Sequence, residues 1–98
     1  MANEKPLAER IGLDLTASMK AKDAARTATL RMAKAALMNR EIDKKTPLDD
    51  QEALAVLRTL VKQREDSIFQ FRKANRPELV DKEEAELAVL RAPRDWLA

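Results

Sequence analysis

Leu7, Ile11, Leu15 and Met19 recur every four residues with Ala8 beside them, and Glu9, Arg10, Asp14 and Lys20 flank the stripe. That spacing predicts an amphipathic helix. Pro6 is expected as its first residue, where a missing N–H costs nothing. Asp23 is a fitting N-cap for a second helix. No Gly or Pro separates the two segments, so a break and a bent continuous helix both remain open. Residues 24–42 place Ala, Leu, Met and Ile around most of the circumference. Asp23, Thr27, Lys34, Glu41 and Lys45 share one narrow polar strip. A helix apolar nearly all round is a buried one, so this segment is expected at the centre.

Pro47 pushes Thr46 out of helical geometry and ends that pattern. Asp49 followed by Glu52 reads as a capping box, with Leu48 as the staple before it. The third helix is expected to reach about Ala74, about 37 Å at the usual rise. Its stripe is Leu54, Leu57, Val61, Arg64, Ile68 and Phe71, alternating steps of three and four. Asn75 suits a left-handed C-cap and Pro77 the first position of a fourth helix. Leu79, Val80, Leu87 and Leu90 give that helix its apolar face, and Pro93 is expected to end it. The fold class is therefore all-α: a compact bundle of about four helices around an Ala-rich second helix, one domain over residues 1–98.

Composition sharpens this only by exclusion. The chain has neither Cys nor His, which removes thiolate chemistry, zinc knuckles and the usual neutral-pH base. A single Gly cannot build a phosphate-cradling loop. Net charge is only +2, but residues 1–46 carry +4 and residues 47–98 carry −2, so an anionic partner would face the N-terminal half. No apolar run spans a membrane and no export leader is visible. With no Cys, these features predict a cytoplasmic protein.

Lys20, Lys22, Arg26, Arg31, Lys34 and Arg40 concentrate around the second helix and are the candidates for phosphate contact. They do not share one face, and no aromatic among them could stack a base. Arg64 and Glu83 interrupt apolar stripes. Burying either alone is costly, so Arg64 with Glu83 and Glu86 is expected to form a structural ion pair. Asp81, Glu83, Glu84 and Glu86 resemble a metal-binding cluster only in spacing, since the helical di-metal motif also needs His. Ser18 and Ser67 have no His to activate them, and a Ser18–Lys22 arrangement is the one nucleophilic alternative. No catalytic residue, metal or cofactor is expected.

Two runs carry a family resemblance. Residues 19–42, MKAKDAARTATLRMAKAALMNREI, are similar to the "M(K/R)AKD…R…LRML…A…NxEI" run of the YqeY-like proteins. Residues 62–90, KQREDSIFQFRKANRPELVDKEEAELAVL, resemble that family's "KQRxxSIxQFxxAxRxxLxxKExxE…VL" stretch more closely still. The likeness covers Leu7 to Arg91. It implies a helical N-terminal domain, normally followed by a smaller helical tail similar to that of the GatB subunit of tRNA-dependent amidotransferases. After Leu90 the family usually continues through "Y-L-P" into this tail, whereas here Arg91-Ala92-Pro93 follow, so the tail domain is expected to be absent. Asn75 stands where the family commonly has Gly.

The resemblance implies an accessory module related to carbon–nitrogen ligases that use glutamine as amide donor. Its expected partner is tRNA or a tRNA-linked complex, and catalysis is not expected of it. The alternative is a helical protein–protein interaction or self-association module without nucleic-acid contact, using the long third helix and Trp96.

Overall fold

The computed structural model describes residues 5–95, with side chains described through Arg91. Four helices follow one another: α1 Leu7–Lys20, α2 Ala24–Lys44, α3 Asp50–Lys73 and α4 Pro77–Asp95. No strand occurs among the described residues. Pro6 stands one step before α1 rather than in its first turn. Its backbone is extended (φ −55°, ψ 148°) and its carbonyl accepts from the Arg10 N–H at 3.0 Å. The orphan N–H of Leu7 is satisfied from outside the helix, donating to Asp50 Oδ1 of α3 at 2.7 Å.

The link between α1 and α2 is a true break. Lys22 adopts left-handed backbone at φ 58°. The Lys22 N–H donates to the Met19 carbonyl and the Asp23 N–H to the Ser18 carbonyl, both at 3.1 Å, the paired bonds of a Schellman turn. Asp23 then caps α2, accepting from the Arg26 N–H at 3.1 Å. Asn75 at φ 57° closes α3 with the same pair of bonds, Arg76 to Phe71 at 2.9 Å and Asn75 to Arg72 at 3.1 Å. A side chain in left-handed geometry is strained where glycine is not. Lys22→Gly is therefore expected to stabilise the fold by about 0.5–1 kcal/mol, measured as a rise in the urea midpoint at constant slope.

Leu48 is buried ahead of the capping box, in which Asp49 Oδ1 accepts from the Glu52 N–H at 2.8 Å and Glu52 Oε1 from the Asp49 N–H at 3.1 Å. Pro77 opens α4. Pro93 does not close it: α4 runs on to Asp95, because a proline near a helix end removes one ladder bond without forcing a stop.

The helices pack as two hairpins, α1 with α2 and α3 with α4, and α2 touches all three of its neighbours. Leu7 and Ile11 of α1, Leu30 of α2, Leu57 of α3 and Leu90 of α4 are the most deeply enclosed large side chains. Two expectations need correction. Met19 is exposed (43%), and the inward place at the end of α1 belongs to Ser18. Its hydroxyl donates to the Leu15 carbonyl at 2.8 Å and lies 2.9 Å from Thr27 Oγ1, so the crossing of α1 and α2 is closed by two small polar side chains. Thr27 thus leaves the polar strip for the interior. The second correction concerns α2, which is central but covered on one side only. Thr27, Leu30, Ala33 and Leu37 face inward, while Ala24, Ala28, Ala35, Met38 and Ile42 face solvent. Periodicity could not separate the sides because alanine occupies both.

Candidate nucleic-acid interface

The six basic candidates divide by environment. Arg26 is tied to Asp14 of α1 by an ion pair between two half-buried side chains. Arg40 lies at the opposite end of α2, close enough to Glu52 for its charge to favour the ionised carboxylate. Lys20, Lys22, Arg31 and Lys34 are exposed. Arg31 Nη2 stands 3.4 Å from Met19 Sδ, which brings its guanidinium to the last turn of α1. Lys20 and Lys22 flank that turn, and Lys34 lies less than one turn beyond Arg31 on α2. The α1–α2 corner therefore gathers four positive side chains, none of them held by a carboxylate among the described residues. Cations at the C-terminal end of α1 also complement its dipole.

A groove beside Arg40 was not expected from the sequence. Between α2 and α3 it encloses about 590 Å³, lined by Arg40 together with the acidic Asp43 and Glu52, polar Asn39 and Gln63, and apolar Ala36 and Val56. It arises from the splay of two helices, which no spacing rule reveals. At its end Lys44 pairs with Glu52. That contact, followed by the Asp49 N–H, holds the Glu52 carboxyl below its ordinary value.

Arg64 sits where three helices meet. Its Nε lies 2.9 Å from Glu86 Oε1 and 3.5 Å from Glu83 Oε2 of α4, and its Nη2 contacts Met32 Sδ of α2. The Arg64 and Glu83 side chains are 17% and 16% exposed. The Nε–Glu approaches are ionic contacts rather than well-aimed hydrogen bonds. Glu84 turns the other way, accepting from Arg72 at 2.5 Å, so the acidic run of α4 is divided between two arginines of α3. Ser18 and Lys22 are not brought together for chemistry: the Ser18 hydroxyl is buried and engaged with Leu15 and Thr27, while Lys22 is exposed in the link. Trp96 lies outside the described residues.

The described residues thus form an all-α bundle of two helical hairpins with exposed basic side chains at the α1–α2 corner. The chain belongs to the YqeY-like protein family, whose model matches residues 8–93. Among curated relatives, it is 38% identical over 85 residues to the altered inheritance of mitochondria protein 41, mitochondrial, of Vanderwaltozyma polyspora, covering 86% of this chain and 46% of that protein. The protein of the same name from Kluyveromyces lactis is 41% identical over 78 residues, covering 79% and 42%. The chain thus spans less than half the length of these relatives. Their names also correct the expectation of a cytoplasmic protein. The relatives are named as mitochondrial, and absent cysteines and an unseen leader were weak grounds for any compartment.

Proposed function

We propose that this YqeY-family chain is an accessory helical module, related to the tRNA-dependent amidotransferases that use glutamine as amide donor, and that it binds tRNA or a tRNA-linked complex without itself being catalytic. The observation that supports this is the α1–α2 corner, where Lys20, Lys22, Arg31 and Lys34 stand exposed with no carboxylate among the described residues holding them. Free ammonium and guanidinium groups on adjoining helix ends can meet successive phosphates, and their affinity comes chiefly from released counterions. No aromatic residue stands in sequence among these basic positions, which favours backbone contact over base reading. Arg26 and Arg40 are supporting members, since each already answers a carboxylate of its own chain. The mitochondrial names of its relatives support a mitochondrial setting for the module.

Titration with tRNA across a salt series tests the proposal. Binding is expected at low salt, with a log–log slope of about −2 to −3.6 for three or four phosphate contacts. The Lys20→Glu/Lys22→Glu/Lys34→Glu variant should abolish it while circular dichroism stays unchanged, because all three side chains are exposed. Absence of binding at low salt, or a slope that the variant leaves intact, overturns it.

A further inference from the structure

Among the described residues, two methionine sulfurs stand against an arginine. Met32 Sδ meets Arg64 Nη2 at the junction of α2, α3 and α4, where the Arg64 side chain is only 17% exposed. Met19 Sδ lies 3.4 Å from Arg31 Nη2 on the surface, with Met19 itself 43% exposed. Met38 is also exposed, at 52%, but among the described residues no donor meets its sulfur. Met19 therefore joins a reachable sulfur to a waiting cation. A thioether is a weak acceptor, and Arg31 has no carboxylate partner among the described residues, so its donors stand well below their capacity.

We infer that Met19 is a site of reversible oxidation by hydrogen peroxide, and that Arg31 holds the resulting sulfoxide and is thereby drawn away from phosphate. The sulfur lone pair attacks one peroxide oxygen, and the S–O bond forms as the O–O bond breaks. The proton on the transferred oxygen passes to the departing hydroxide, which leaves as water. The thioether is oxidised and the peroxide reduced. The new oxygen sits one bond from a sulfur already within reach of Arg31 Nη2, and carries enough negative charge to accept a charge-assisted hydrogen bond. Lys20 and Lys22, flanking the same turn, add positive potential around it. Because Met19 faces solvent, the added oxygen does not enter the core, whereas at Met32 it would intrude between packed helices. A guanidinium tied to the last turn of α1 must release the sulfoxide before it can turn to a phosphate. This last consequence rests on the tRNA reading above, while the modification itself does not.

Peroxide treatment of the whole chain carrying Met38→Leu is the test. Peptide mass spectrometry locates the added oxygen, and NMR follows the Arg31 guanidinium N–H signals, assigned by their loss in Arg31→Lys. Met19 is expected to gain an oxygen ahead of Met32. The Arg31 signals should shift and exchange more slowly with water, and methionine sulfoxide reductase should reverse both changes. Met19→Gln, whose amide oxygen stands in for the sulfoxide, should give the same Arg31 signature without peroxide. Affinity for tRNA at low salt should fall about fivefold on oxidation, and the Met19→Leu protein should keep its affinity through the same treatment. Arg31 signals indifferent to oxidation, or Met32 modified first, overturn the inference. So does tRNA binding that oxidation leaves unchanged or weakens equally in Met19→Leu. If the chain binds no tRNA while the Arg31 signals respond as expected, the tRNA reading falls and the modification site stands.

Discussion

Replacing Arg64 by methionine is expected to destabilise the protein by about 2–3 kcal/mol. The substitution keeps most of the side-chain volume beside Met32 but leaves Glu83 and Glu86 facing one another without their cation. A fully enclosed pair broken this way costs about 3–5 kcal/mol. Here the carboxylate side chains retain 16% and 22% exposure, so water relieves part of the penalty. Converting all three positions to apolar residues, Arg64→Met with Glu83→Leu and Glu86→Leu, should return stability to within about 1 kcal/mol of the parent or exceed it. Urea unfolding of the single and triple variants measures both. If the single substitution costs under about 0.5 kcal/mol, the cluster behaves as a screened surface contact and its part in holding α2, α3 and α4 in register is refuted.

Leu57→Ala should cost more, about 3 kcal/mol, and lower the thermal midpoint by about 12–24 °C in a chain of this length. Leu57 lies in the middle of α3 with 1% of its surface exposed, so its loss leaves a cavity that packed neighbours fill only in part. Phe69 is the larger side chain and stands on the same helix, yet 60% of it faces water. Lys73 Nζ lies 5.2 Å from its ring centre. Phe69→Ala should therefore change stability by only about 0.5 kcal/mol. Calorimetry on the pair checks whether enclosure, rather than aromatic size, decides the outcome. Equal costs would refute the core described above.

The sequence carried the helices and their ends well because those features are local. Asp23, the Asp49–Glu52 box and the left-handed Asn75 each satisfy backbone groups within a few residues of themselves. Arg64 was visible too, since a charge inside an apolar stripe demands a partner. What escaped depends on distant segments meeting. Ser18 became a core residue only because it meets Thr27 across the α1–α2 crossing, and Arg26 is neutralised by Asp14, twelve residues away on another helix. Alanine on α2 reads alike whether covered or bare, so the open side of that helix had no signature in composition. Pro93 misled because proline's cost depends on how much helix follows it. The basic candidates were legible as residue types, whereas their division into engaged and free groups required the fold.

The short links have a bearing on how the molecule forms. Two of its three connections close within three residues, α1 to α2 and α3 to α4, and the heaviest packing joins those same sequence neighbours. Chains organised this way have low contact order and cross small loop-closure barriers. Each hairpin can thus assemble as a nascent unit before the other is complete, and docking of the two across α2 becomes the late, cooperative event of a fold reached on the microsecond-to-millisecond scale.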